Sequence, residues 1–200
     1  MKKFVVILII MSMVITLLLP IIVSAEPIDI FLSSGEILKR IGVLEGNSDG
    51  DLMLEKKLTR PNMVVLMSRL YKAESKAKSF LINPNFTDVT DSFYLPYIGW
   101  AVDKGLIKGM GDNTFGFDEN VTVQQFMVVL LRVLEYEEES RLWNTVPALA
   151  IKLGIMEGLE NNAKADLTRG QMAVMTLNAL KMTTKGNSIT LADVLSLDLN

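Results

Sequence analysis

The 200-residue chain carries 20 basic and 23 acidic side chains and contains neither histidine nor cysteine. Ser-His-Asp and Cys-His catalysis, the usual zinc sites and any disulfide are therefore excluded. A formal net charge of −3 also argues against attraction to nucleic acid or an anionic lipid surface. From the N-terminus, Lys2 and Lys3 precede an apolar run from Phe4 to Leu19, Pro20 breaks the run, and Val23 and Ala25 are the small residues of a cleavage site. This is the pattern of a secretory signal peptide over residues 1–25, with the mature chain starting at Glu26. The alternative is an uncleaved anchor, since Phe4 to Val23 could nearly span a bilayer. After cleavage no transmembrane segment is expected, and with no cysteine there is no lipobox lipid. The remaining stretch of about 175 residues, net −5, is long enough for one real core.

Three stretches then share a Gly-x-x-x-Gly frame. They are "EILKRIGVLEG" with Gly42 and Gly46, "GWAVDKGLIKG" with Gly105 and Gly109, and "ALAIKLGIMEG" with Gly154 and Gly158. The spacings are 63 and 49 residues. Each frame closes a short amphipathic helix. The first glycine suits the left-handed position past a helix end, and Val43, Leu106 or Ile155 supplies the apolar contact that follows. The loops after the first two frames match in detail, pairing Asp49 with Asp112, Leu52 with Phe115 and Leu54 with Phe117. Their alternation predicts a short extended segment after a turn. The third loop is three residues shorter and lacks the pattern.

A second, strongly apolar helix follows each loop. Thr59, Thr122 and Thr168 are the expected N-caps, with Gln125 and Gln171 completing capping boxes and Asn62 a weaker substitute. The pairs Leu58/Met63, Val121/Phe126 and Leu167/Met172 stand at the hydrophobic-staple positions. These helices are apolar nearly all round, which predicts central burial. The recurrence divides the mature chain into repeats over 26–75, 80–137 and 140–183 and a closing segment over 184–200, folded as one domain. Residues 72–85 and 135–141 read as exposed connectors or helix ends. Asp29, Asp88 and Asp193 mark echoes of one lead-in segment.

Other chemistry finds little support. "NSDGD" (47–51) places Gly50 correctly for a calcium loop, but the position that needs glutamate is Lys56, so no metal site is expected. The methionines fall at core spacing. Trp143 reads as core or inter-repeat filler, and Trp100 as core or as a sugar platform. No spacing singles out a carboxylate pair for hydrolysis, so the chain is read as non-enzymatic, with no cofactor.

The stretch "FTDVTDSFYLPYIGWAVDKGLIKGMGDNTFGFDENVTVQQFMVVLLRVL" resembles an S-layer homology repeat, and the mature chain resembles three of them. The shared pattern runs Phe-x-Asp-Val, Trp-Ala, Gly-(apolar)₂-x-Gly, Gly-Asp-x-x-Phe and Thr-Arg-Ala-Glu. The resemblance implies a mainly α fold, pseudo-threefold around a central three-helix bundle. It further implies secretion to the cell surface and binding of a secondary cell-wall polysaccharide, often one carrying pyruvate ketals. The chain departs from the pattern where Val123 follows Thr122 and where no stretch keeps the final glutamate.

The Thr-Arg pairs carry the site expectation. Arg60 and Arg169 stand in the first turn of their helices, where a cation opposes the helix dipole. A guanidinium beside free N–H groups fits a carboxylate bidentately, as on a pyruvate ketal. The alternative is an ion pair to Asp or Glu of a neighbouring repeat. Under the ligand reading, removing either arginine should hardly affect stability. The ligand-binding positions are expected at Thr59, Arg60, Thr168, Arg169, Asp88, Trp100, Gly46 and Gly109. The alternative function is a degenerate repeat domain that contacts another surface protein.

Overall fold

The computed structural model describes residues 29–199, and the expected leader over residues 1–25 lies outside them. The described chain is mainly helical. The helices are α1 (Ile30–Arg40), α2 (Arg60–Leu70), α3 (Glu74–Lys78), α4 (Leu95–Asp103), α5 (Val123–Val133), α6 (Glu137–Ser140), α7 (Val146–Leu153), α8 (Arg169–Leu180) and α9 (Leu191–Val194). A 3-10 turn over Trp143–Thr145 leads into α7.

The local signals act as physics requires. The hydroxyls of Thr59, Thr122 and Thr168 accept from the backbone N–H at N3, and the last two sit in full capping boxes. Gly42, Gly105 and Gly154 adopt φ of 75°, 71° and 91°, the left-handed conformation that lets the chain leave a helix without a Cβ clash. The second helices are buried as their sequences require. Met63, Met67, Phe126, Met127, Met172 and Met175 are at most 1 % exposed, so these methionines are packing.

Helices pair across the expected repeat boundaries. α2 packs on α4, α5 on α7, and α8 on α1, so the last pairing joins the start of the described chain to its far end. Gly170 lies in the first turn of α8, where a Cβ would stand 3.1 Å from the Phe31 ring, so the lack of a side chain permits this close approach.

The extended segment expected in the loops is not a strand, and pairing among the described residues is limited to isolated antiparallel bridges. Three of these, Lys57 with Thr168, Thr59 with Asn120 and Thr122 with Asp166, lie just before the helix N-caps. There Leu58 N–H donates to Leu167, Leu167 to Val121, and Val121 back to Leu58, each at 2.8 Å. This closed cycle of three backbone bonds satisfies groups that would otherwise be orphaned in the core, because all three residues are at most 1 % exposed.

Two expectations change. The aspartates Asp29, Asp88 and Asp193 do not share one role. Asp29 caps α1, Asp193 closes the capping box of α9, and Asp88 holds a loop. The connectors are partly helical, as α3 and α6, and Ala77 and Ser140 of those helices are buried.

Candidate functional site

Arg60 is only 5 % exposed, although it follows an N-cap. Its side chain turns away from the helix start into the 107–117 loop. There Nε donates to Phe115 O at 2.8 Å and Nη2 to Lys108 O at 3.2 Å, while Cζ lies 4.9 Å from the Phe115 ring centroid. Arg169 repeats the arrangement on the 44–54 loop, with Nε donating to Leu52 O at 2.8 Å and Nη2 to Glu45 O at 2.7 Å. Leu52 and Phe115 are the loop residues that the sequence pairs, as are Glu45 and Lys108. The guanidiniums thus serve backbone carbonyls, an arrangement that is neither an acidic ion pair nor a fork left wholly free.

Burial pulls the pKa of both arginines below the ordinary value. Asp88 and Glu119 push Arg60 back up, whereas Arg69 adds to the lowering at Arg169 and Asp51 opposes it. Both remain cations at neutral pH. Partly desolvated positive charge at a loop edge is a ready partner for an anion.

Each arginine lines a groove. Groove one, about 330 Å³, contains Arg60, Lys108, Gly109, Gln125, Arg132 and Trp143. Groove two, about 290 Å³, contains Arg169, Glu45, Gly46, Asn62, Arg69 and Tyr94. Gly46, Asn62 and Arg69 stand 63 residues before Gly109, Gln125 and Arg132, so the two grooves are built from corresponding parts. In each, one arginine comes from a helix start and a second from the last turn of another helix.

The second arginines, Arg69 and Arg132, are functional candidates that the sequence reasoning missed. The signal was present in their shared place near the ends of α2 and α5. Arg132 donates from Nη1 to Leu106 O at 2.8 Å and from Nε to Ser140 Oγ at 3.3 Å. Burial lowers its pKa, with Glu137 opposing. Arg60 Nη1 and Arg132 Nη2 have no hydrogen-bond partner among the described residues. Aromatic walls complete both grooves. Trp143 is 49 % exposed at groove one, which corrects its assignment as filler. Phe93 is 55 % exposed at groove two beside Tyr94, whose hydroxyl donates to Asn62 Oδ1 at 2.9 Å.

The remaining expected residues divide. Gly46 and Gly109 line the grooves, and both are sterically obligatory, because a Cβ would stand 2.8 Å from Gly50 O or 2.7 Å from Thr114 O. Thr59 and Thr168 use their hydroxyls as caps. Asp88 accepts the N–H groups of Phe115, Gly116 and Phe117 at 2.7, 2.7 and 2.9 Å, so it fixes the very loop that receives Arg60. Burial pushes its pKa up, but those three donors outweigh it and hold the carboxyl below the usual range. Trp100 departs from the sugar-platform reading: it is 1 % exposed and packs edge-on to Tyr71 in the core.

A third depression, about 570 Å³, includes Ile30, Gly154, Glu157, Asn178 and Lys181. It has neither arginine. Asn178 stands in sequence where Arg69 and Arg132 do, and Val123, which stands where Arg60 and Arg169 do, is packed in the core and is not part of the depression's lining. Asn178 Nδ2 donates to Ile155 O and Glu157 O at 3.2 and 3.0 Å.

Among the described residues no group of acidic side chains could hold a metal ion, and no helix is long and apolar enough to cross a membrane.

Comparison with known proteins bears on part of this arrangement. Residues 85–127 match the S-layer homology domain, a span that contains Asp88 and the whole 107–117 loop. The chain is 28% identical over 127 residues to the Surface layer protein of Brevibacillus choshinensis, covering 62% of this chain and 11% of that protein. It is 27% identical over 150 residues to the Middle cell wall protein of Brevibacillus brevis, covering 72% of this chain and 14% of that protein. An Amylopullulanase of Thermoanaerobacterium thermosulfurigenes is 27% identical over 125 residues, covering 56% of this chain and 7% of the enzyme. The chain therefore spans a small part of the relatives it matches, and their whole activities are not carried by the match.

Proposed function

We propose that this chain is a non-catalytic module of the bacterial cell surface that binds an anionic cell-wall polysaccharide in grooves one and two. Its location is the cell wall or cell surface, in keeping with the surface-layer and cell-wall proteins it resembles. The observation that carries the reading is the pairing, in each groove, of two partly buried arginines with an exposed aromatic wall. Guanidinium forks suit a carboxylate such as that of a pyruvate ketal, and a flat aromatic suits the apolar face of a sugar ring. We read the chain as three copies of one unit around a pseudo-threefold axis. The closed cycle through Leu58, Val121 and Leu167 and the pairing α2–α4, α5–α7 and α8–α1 support that reading. A second reading, contact with another surface protein, draws on the third depression, where neither arginine is present.

The test is retention of the purified chain on cell walls before and after the polysaccharide is chemically stripped from them. Retention should disappear with the polymer. Trp143→Ala, a change at an exposed side chain, should weaken retention at groove one by about 10-fold or more, equivalent to about 1.4 kcal/mol, without altering the melting temperature. Equal retention on stripped walls would overturn the proposal.

A further inference from the structure

Among the corresponding residues that line both grooves, one pair differs in charge. Groove two also carries Lys56 and Lys57, the latter paired with Asp166 at 2.6 Å. Groove one has Lys108 on its rim, and no carboxylate belongs to its lining among the described residues. In groove two the same place is Glu45, whose Oε2 lies 2.6 Å from Arg69 Nη2. Glu74 also reaches Arg69, with Oε2 3.2 Å from Nε. The corresponding contact in groove one, Arg132 to Glu137, is stretched to 4.0 Å. Arg69 of groove two is therefore already matched by carboxylates of the chain itself, and one of them, Glu45, stands on the groove wall.

We propose that Glu45 sets the specificity of groove two. Its carboxylate occupies the position on Arg69 that a ligand carboxylate would take, so of the units along the anionic polymer groove two accepts an uncharged one and groove one a charged one. The proposal rests on the reading that both grooves take wall sugars. An incoming carboxylate at groove two must displace Glu45 from Arg69 and then remain beside it, a like-charge contact that discriminates against that ligand. A neutral sugar meets no such penalty. It finds in Glu45 an acceptor for its hydroxyls and in Phe93 and Tyr94 an apolar wall. At groove one, Lys108 adds charge of the opposite sign and favours the anion. Glu45 can be exchanged without disturbing the scaffold. Its side chain is 64% exposed, and the contact that holds the loop to Arg169 is made by its backbone carbonyl.

The experiment is an NMR titration of the chain, with the Gly46 and Gly109 amides reporting grooves two and one. The probes are the methyl glycoside of a 4,6-O-pyruvyl ketal of an N-acetylhexosamine and the parent N-acetylhexosaminide without the ketal. In the wild type the ketal should shift Gly109 and leave Gly46 unmoved, while the uncharged glycoside shifts Gly46. Glu45→Gln should make Gly46 respond to the ketal with an affinity gain of about 10- to 100-fold. Glu45→Lys, which copies groove one, should raise it at least as far. The same spectra report whether each variant is folded. If Gly109 responds to the ketal and Gly46 responds equally in wild type and Glu45→Gln, the role of Glu45 is refuted while the sugar-binding reading stands. If neither amide responds to either probe in any variant, the sugar-binding reading itself fails and the role of Glu45 falls with it.

Discussion

Arg60 Nε donates to the carbonyl of Phe115 at 2.8 Å, across 55 residues of sequence. This bond joins the start of α2 to the loop that Asp88 fixes from its other side. It revises the expectation that the arginine could be removed at little cost to the fold. Truncation to alanine would leave Phe115 O and Lys108 O without their donor at a site that is nearly sealed from water. A charge-assisted hydrogen bond contributes roughly 1.5–3 kcal/mol. Arg60→Ala should therefore lower stability by about 3 kcal/mol, a fall of roughly 6–12 °C in melting temperature. Arg169→Ala should cost less, about 1.5–2 kcal/mol, because its side chain is only half-buried. Thermal melts of the two variants check the size and the order. Both should also weaken wall binding, so a binding defect here counts only after correction for the fraction folded.

Asp88 should make the 107–117 loop sensitive to acid. Its folded pKa is depressed, so its contribution is present above the unfolded value of about 4 and is lost as pH falls through the folded value. Asp88→Asn keeps the size but places an NH₂ group where backbone donors need an acceptor. At pH 7 it should cost about 2 kcal/mol, or roughly 4–8 °C. The gap between wild type and Asp88→Asn should close as the pH is taken below about 4. A gap that is constant from pH 7 to pH 3 would show that the carboxylate charge has no part in holding the loop.

The hydrogen-bond cycle predicts cooperative folding. Leu58 N–H has its acceptor on Leu167, and Leu58 O has its donor on Val121, so neither group can be satisfied within the first third of the chain. The same stretch also lacks the helices on which α1 and α2 pack, α8 and α4. The fragment Glu26–Ser75 alone should show no sharp thermal transition by circular dichroism, or should self-associate. A monomeric fragment with a steep melt would contradict this.

What could be read in the sequence was local chemistry. Thr122 with Gln125, Thr168 with Gln171, and the glycines that close helices act over three or four residues, so their spacing is their mechanism. The partners of Arg60 and Arg169 could not be read in this way, because each carbonyl belongs to a loop folded against a different helix. The place of Trp143 also depends on contacts distant in sequence: the short turn at 143–145 leaves it at the lip of groove one, where its own carbonyl accepts from Gln124 Nε2 at 2.7 Å. Trp100 went the other way, since packing against Tyr71 decides its burial.

The start of α5 gives the sharpest contrast between fold and function. At Val123 the backbone keeps the connection that Arg60 and Arg169 make. Its N–H donates to Ala165 O at 3.0 Å, as Arg60 N–H donates to Glu119 O at 3.0 Å and Arg169 N–H to Lys56 O at 2.9 Å. Only the side chain differs, and at 1 % exposure it is packing. The other arginine place holds Asn178, whose amide is bonded to the adjoining loop. Val123→Ala should therefore cost about 1–3 kcal/mol of stability through lost burial while leaving the affinity of the folded protein for wall polymer unchanged. Lys108→Ala provides the opposite case. It removes an exposed charge from groove one, so it should leave the melting temperature within a few degrees and weaken binding. Calorimetric melts and wall-binding isotherms on the two variants separate the effects. If Val123→Ala weakened binding as much as Lys108→Ala, the arginine pairs would not be what distinguishes grooves one and two.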